Sequence, residues 1–221
     1  MYKVDLHTHS TASPDGGITA DQYRRAIGTK LLDAIAITDH NRIDFALELQ
    51  KKIGKAIIVG EEIMTTAGEI VGLFLREVIK PGLTPQETIK RIKEQGGIVY
   101  IPHPFETIRK GMHPAVLDEL VDHVDIIEVC NGRAFFQNKS EQAVVWTRIN
   151  GKIGAASSDA HGFQGLGSTY TSVAKLPTRE TLLGLMDNGI PMTGRPSVRA
   201  LLYPKLNRLR KKMKTRGTPN E

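Results

Sequence analysis

Short apolar runs alternate with amphipathic stretches along almost the whole chain, separated by brief turns, and this rhythm constrains the fold more than any other feature. Apolar runs are read at residues 2–6, 32–38, 55–59, 69–75, 98–101, 125–129 and 154–158, with a brief one at 172–174. Helices are predicted between them at about residues 20–28, 42–53, 85–95, 114–121, 138–149 and 178–188. Their ends carry signals. Thr19 stands ahead of the first helix with Asp21 in its first turn. Thr84-Pro85-Gln86-Glu87 has the form of a capping box with proline at the first helical position. Gly54, Gly96-Gly97 and Gly189 close helices. Residues 65–68 read as a turn, so the run at 69–75 is expected to pair back on its predecessor. Strands joined by helical crossovers make a parallel sheet, either a closed barrel or an open doubly wound layer. Six or seven apolar strands, with no glycine fingerprint for phosphate after the first, favour the barrel. At 221 residues the chain is long enough for one.

The composition is that of a soluble globular protein, 40% apolar and 24% charged. No window approaches the roughly 18 apolar residues of a membrane span, and the N-terminus runs straight into a strand carrying Asp5, so neither a span nor a signal peptide is expected. The single cysteine, Cys130, cannot form an internal disulfide, which suits a cytoplasmic, reducing location. The net charge of +6 is unevenly spread: from residue 195 onward nine lysines and arginines face only Glu221, a local +8 that leaves −2 for the rest. The chain therefore divides into a barrel domain, residues 1–194, and a basic tail, residues 195–221, whose stretch 206–214 reads as a weakly amphipathic helix. Such a tail is a solvated extension, a contact for RNA or DNA phosphates, or a membrane-surface contact.

Almost every apolar run is followed at once by a residue able to ligate a metal: His7 and His9, His40, Glu62, His103, Asp159 and His161. Residues two apart in an extended backbone point the same way, so His7 and His9 can reach one ion. In barrels and open α/β sheets the carboxyl ends of the strands form the functional face, so these residues should converge. His113 and His123 fall on or beside a helix and read as surface residues. Nitrogen and oxygen donors without thiolate suit Zn, Mn or Fe. So many ligands require two or three divalent ions, an arrangement used in phosphoryl hydrolysis.

Asp5-Leu6-His7-Thr8-His9-Ser10, Ile37-Thr38-Asp39-His40-Asn41, Gly60-Glu61-Glu62, Pro102-His103-Pro104 and Ser158-Asp159-Ala160-His161 together resemble the PHP (polymerase and histidinol phosphatase) family of metal-dependent phosphoesterases. The resemblance runs from residue 2 to about residue 194. It implies a single-domain, distorted (β/α)7 TIM-like barrel with up to three Mn, Fe or Zn ions at the strand ends. By resemblance His7 and His9 look like ligands of one ion with Asp159 beside them. Glu62 bridges to a second ion, which His103 also binds, and His40, His161 and Asp15 serve a third. The Ser-Pro-Asp-Gly form around Asp15 looks like the loop of nucleotide- and RNA-directed members, with an inserted proline. Where relatives often have His-Ile-Val-Gly-Leu, this chain has Glu69-Ile70-Val71-Gly72-Leu73, so Glu69 either substitutes as a ligand or is an edge-strand surface residue.

Glu128-Val129-Cys130-Asn131-Gly132-Arg133 matches a further family stretch. By alternation Glu128 and Cys130 should share one side of a strand, with Asn131 and Arg133 in the loop beyond as candidate substrate-binding residues. A guanidinium at Arg133 can fork onto phosphate oxygens or be an ordinary solvated loop arginine. Cys130 reads as a small buried filler, and Asp39 as a residue that orients ligands from behind. The expected function is hydrolysis of phosphate esters by a metal-activated water, with no catalytic side chain beyond the ligands. Two alternatives stay open. One is an amidohydrolase-like metal hydrolase, although no lysine stands at a strand end to bridge its ions. The other is a nucleic-acid-binding accessory module with a structural metal site.

Overall fold

The structure, a computed structural model, describes residues 1–134, 138–194 and 196–216. Arg195 and residues 217–221 of the expected basic tail lie outside the described residues. The chain forms β1 (Tyr2–Asp5), α1 (Ala20–Gly28), β2 (Ala34–Ile37), α2 (Asp44–Ile53), β3 (Ile57–Thr65), β4 (Gly68–Leu73), α3 (Pro85–Glu94) and β5 (Ile98–Ile101). There follow α4 (Pro114–Glu119), β6 (Ile126–Asn131), α5 (Ser140–Ile149), β7 (Ile153–Ser157), β8 (Tyr170–Val173), α6 (Leu182–Asp187), β9 (Ile190–Met192) and α7 (Val198–Arg216). No described helix is long and apolar enough to cross a membrane.

The helix signals act as read. The Thr19 side chain accepts from the Gln22 N–H and the Gln22 side chain accepts from the Thr19 N–H, a complete reciprocal cap on α1. Thr84 caps α3 by accepting from the Glu87 N–H at 3.2 Å, with Pro85 at the first helical position. The last body helix is shorter than expected. Residues 178–181 form a turn in which the Thr181 and Leu182 N–H groups return to the Thr178 carbonyl, and α6 begins only at Leu182.

The strands lie in one sheet in the order β7-β6-β5-β4-β3-β2-β1-β8-β9. Apart from the run at 69–75, expected to pair back on its predecessor, the sheet was expected to be parallel; the observed one is mixed. Pairs β1–β2, β2–β3, β5–β6 and β6–β7 are parallel, while β4 is antiparallel to both neighbours and β8 to both of its own. The reversal at β4 follows from the hairpin at 65–68, which leaves no room for a crossover. The sheet curls into a nearly closed barrel, as expected. Across the seam between β7 and β8, the Thr171 hydroxyl accepts from the Ala156 N–H at 2.9 Å and donates to the Ala156 carbonyl at 3.1 Å. Buried strand-edge groups need partners, and here a side chain supplies them where no ladder runs.

Alternation divides the apolar side chains into two cores. Ile35, Ile37, Ile57, Val59, Val99 and Ile101 face outward against Tyr23 and Ala26 of α1, Ala46 and Leu49 of α2 and Ile89 and Ile92 of α3. Val4, Ala34, Ala36, Ile58, Val71, Tyr100 and Ile126 form the other cluster, which includes Leu182 and Met186 of α6. Packing on both faces of the sheet fixes the strand register, since a one-residue slip would exchange the two sets. It also fixes where each strand's last residues point.

Candidate metal centre

Beyond the inner core the strand ends turn from apolar to ionisable. Four overlapping sets of side chains each bring ligand atoms within 4.8 Å of one another: His9, Asp15, His40 and His161; His7, Glu62 and His103; His7, His9 and Asp159; and His40, Glu62 and Glu69. Residues from seven chain segments thus meet at one mouth. His7 and His9 lie on the same side of the extended segment after β1, with their Nε2 atoms 3.1 Å apart. The Glu62 Oε1 atom is 3.4 Å from His7 Nε2 and 3.1 Å from His103 Nε2, while its Oε2 is 3.3 Å from His9 Nε2 and 3.1 Å from His40 Nδ1. Glu62 is therefore the hub.

Its placement corrects the sequence reading, which ended the third strand ahead of Gly60-Glu61-Glu62. Strand β3 continues to Thr65, because β4 pairs with it through Glu61 and Glu62. Charge alone does not end a strand whose alternate side chains face different surroundings. Glu62 faces the ligands, whereas Glu61, also fully buried, accepts from the Ile79 N–H at 2.9 Å. Glu69 points inward rather than to solvent, at 4% exposure, with its carboxylate 3.6 Å from His40 and 3.8 Å from His103.

Asp159 serves both sides of the mouth. Its Oδ1 faces His7, His9 and His161 at 3.3–3.6 Å. Its Oδ2 accepts from Arg109 at 2.9 Å and Arg133 at 3.1 Å. Asp159 holds a left-handed backbone conformation, φ 49°, as do Asn41 at 55° and His103 at 28°. Such conformations cost energy for non-glycine residues and cluster where geometry serves function.

The electrostatics are those of closely packed imidazoles and carboxylates that shift one another. Burial opposes the imidazolium of His7, yet Asp159, Glu62 and Glu128 hold its pKa well above the ordinary range. Burial also opposes charge on Glu62 and Asp159; His40 and His7 keep Glu62 far below the usual carboxylate range, and Arg133 and His7 do so for Asp159. Glu69, buried beside Glu62, is pushed up to about 9 and takes the proton of the pair. His161 is driven down to about 3 by burial and by the charges of His9 and Arg133. Protons shared among packed imidazoles and carboxylates do poorly what a divalent cation does well. The donor set, nitrogen and carboxylate oxygen without thiolate, fits Zn, Mn or Fe.

Two supporting roles escaped the sequence reading, those of Glu128 and Arg109. Glu128 of β6, buried, stands 3.1 Å from His7 Nδ1, accepts from the His103 N–H at 2.6 Å and accepts from the Tyr100 hydroxyl at 2.7 Å. It orients His7 in the way carboxylates orient metal-bound histidines. A bulge between Glu128 and Cys130 breaks the alternation, so Cys130 does not share the side of Glu128 as expected. Asn131 is likewise the last residue of β6, not a loop residue, and its side chain links Arg109, Glu128 and the Arg133 N–H. Arg133 lies over the mouth, 3.3 Å from His161 Nδ1, with its buried Nε lacking a partner among the described residues. Arg109, paired with Glu106 and Asp159, carried no motif that could have revealed it. Asp39 holds the Ser10 N–H and hydroxyl at 2.7 and 2.5 Å, fixing the backbone next to His9. Both His113, which caps α4, and His123 are exposed and away from the mouth.

A barrel with nested His/Asp/Glu ligand sets at the carboxyl ends of its strands is a metal-binding α/β barrel. The chain belongs to the PHP domain family, whose model matches residues 5–143. Two uncharacterized proteins of Methanocaldococcus jannaschii are similar to it. One is 36% identical over 156 residues, 65% of this chain and 91% of the relative; the other is 33% identical over 183 residues, 79% and 71% respectively. In three dimensions the chain is similar to a two-domain Bacteroides vulgatus protein containing a predicted PHP-like metal-dependent phosphoesterase. The TM-score is 0.70 at 20% identity, over 94% of this chain and 69% of the other, a likeness of fold.

Proposed function

We propose that this protein is a metal-dependent phosphoric ester hydrolase acting on nucleotides or nucleic-acid ends, with two or three Mn, Fe or Zn ions, in the cytoplasm. The observation that carries the reading is the convergence of four ligand sets around Glu62 and Asp159, with Arg133 at their edge. His7, His9, Asp15, His40, Glu62, Glu69, His103, Asp159 and His161 would hold the ions. When bound, such ions supply Lewis acidity, which acidifies water and neutralises charge on a phosphoryl group.

The chain's own residues prepare that site. Glu128 fixes the ring of His7, and Asp5 secures the strand end behind it by accepting from the Ser158 N–H and hydroxyl at 3.0 and 2.5 Å. Arg133, loosely engaged, can turn its fork from Asp159 to phosphate oxygens while Arg109 keeps Asp159 in place. Asn131, held within its network, would position Arg133 through the backbone and contribute to substrate binding indirectly. Exposed basic residues of α7, Arg199, Lys205 and Arg210, support a polyanionic substrate.

The test is a panel on one metal-loaded preparation: p-nitrophenyl phosphate, bis-p-nitrophenyl phosphate, a 5′-phosphorylated oligonucleotide and a cyclic amide. Ester hydrolysis that chelator abolishes and Mn, Fe or Zn restores is expected. Turnover of the amide alone would support the amidohydrolase reading, and binding of oligonucleotide without turnover the accessory-module reading.

A further inference from the structure

Helix α7 does not project from the barrel. Its middle turns lie across the loop that carries Asp15, and Asn207, Arg208 and Lys211 tie the two together. The buried amide of Asn207 donates to the Asp15 carbonyl at 2.8 Å and to the His161 carbonyl at 2.9 Å. Arg208 reaches Asp15 Oδ2 at 2.6 Å, leaving Oδ1 facing His40 and His161 at 3.5 and 3.4 Å. The Lys211 ammonium donates to the carbonyls of Thr11 and Gly16 at 2.8 and 2.9 Å and to that of Ser13. An ammonium has three donors, and the loop presents three carbonyls to it.

Two glycines show independently that the fit is specific. A Cβ on Gly17 would stand 2.7 Å from the Asn207 amide nitrogen, and one on Gly162 would stand 2.6 Å from the Tyr203 ring. Gly17 lies two residues after Asp15 and Gly162 directly follows His161, so at both places the loop is kept bare where α7 lies against it.

We infer that α7 is a clamp on one half of the metal centre, with Asn207 and Lys211 as positioning residues that hold Asp15 and His161 in ligating geometry for a divalent ion. The inference rests on the metal-binding reading above and adds which ion depends on the helix. The ion of the His9–Asp15–His40–His161 set needs α7; the ions around Glu62 do not, because His7, Glu62, Glu69 and His103 are not among the residues α7 is seen to hold.

Equilibrium dialysis of the full-length protein against graded Mn²⁺ or Zn²⁺, read by elemental analysis, tests this without any assay of turnover. In Asn207→Leu and Lys211→Met the weakest-bound ion should dissociate about 10 to 100-fold more readily, the range for lost supporting residues, with the tighter ions unchanged. Leu209→Gln, on an exposed position of the same helix, should match wild type. His161→Ala should lose the same ion outright, and Asn207→Leu in that background should add nothing. Lys211→Arg should recover part of the affinity. Folded Asn207→Leu and Lys211→Met proteins with wild-type affinities would overturn the clamp while leaving the metal centre standing, and so would equal weakening of every ion. Should Asn207→Leu fail to fold by circular dichroism, Lys211→Met alone decides by the same readings. A wild-type protein that binds no ion at all would overturn the metal reading itself and the clamp with it.

Discussion

The two halves of the centre are built by different means. Around His7, Glu62, Glu69 and His103 the ligands sit in or directly after strands, and Glu128 and Tyr100 stand behind His7 from neighbouring strands. Around Asp15, His40 and His161 they sit in loops and His40 retains 19% side-chain exposure; the backbone beside His40 is bonded to Glu62, while Asp15 and the His161 carbonyl are held by α7. A strand end is held in place by the ladder and two cores, whereas a loop is only as fixed as whatever lies on it. The first half should therefore behave as a rigid site and the second as an adjustable one.

Asp159 belongs to both halves, and its loss should be the most severe. Asp159→Asn, which tolerates the left-handed backbone, should lower turnover of p-nitrophenyl phosphate by more than about 100-fold while circular dichroism stays native. Turnover within about threefold of wild type would remove Asp159 from the set. Arg109→Leu addresses stability: it leaves Glu106 and Asp159 facing each other without their shared cation, and urea titration of metal-free protein should show a loss of about 3 kcal/mol. Stability unchanged by that substitution would mean that Arg133 alone suffices.

The contrast between halves is sharpened by paired substitutions. His103→Ala should reduce metal-dependent turnover about tenfold more than His40→Ala, since His103 is buried against Glu62 whereas His40 keeps 19% side-chain exposure and water can take its place. The reverse order would put the rigid site on the other side. The smallest effect lies just behind the strand half. Burial pushes the Glu61 carboxyl up to about 7, so between about pH 4.5 and 7 the folded chain holds a proton the unfolded one has released. Stability from this group is thus present at low pH and lost as pH rises through 7. Glu61→Gln should raise the melting temperature at pH 8 by the equivalent of about 1 kcal/mol and leave it unchanged near pH 4.5.

Elements governed by local chemistry were legible in the sequence. The capped helices α1 and α3 and the apolar strand β5 begin where Thr19, Thr84 and the run after Gly97 say they should. Features set by partners were not. Strand β3 runs on through two glutamates because β4 lies beside it, and the bulge at Cys130 re-aims β6 with no mark in the residues. Arg109 is a single charge in an unmarked stretch, and Glu128 stood in a recognised stretch without a role; only the packed barrel puts them behind Asp159 and His7. The basic run 206–214 showed its charge, but the buried Asn207 within it gave no sign that this helix would lie on the mouth.

The seam between β7 and β8 has a consequence for motion. Among the described residues the Thr171 hydroxyl bridges β7 and β8 at mid-height; nearer the mouth Asp5 accepts from Ser158, the Ala160 carbonyl accepts from the His9 N–H, and Asn207 reaches the loop after β1 with one hydrogen and the loop after β7 with the other. Like the last stave of a cask, β7 is held by its hoops. Slow breathing of the barrel should then begin at this line, so that the Ala156 amide and those of the Asp15 loop exchange with deuterium together, as one unit that opens and reseals without melting the other strands.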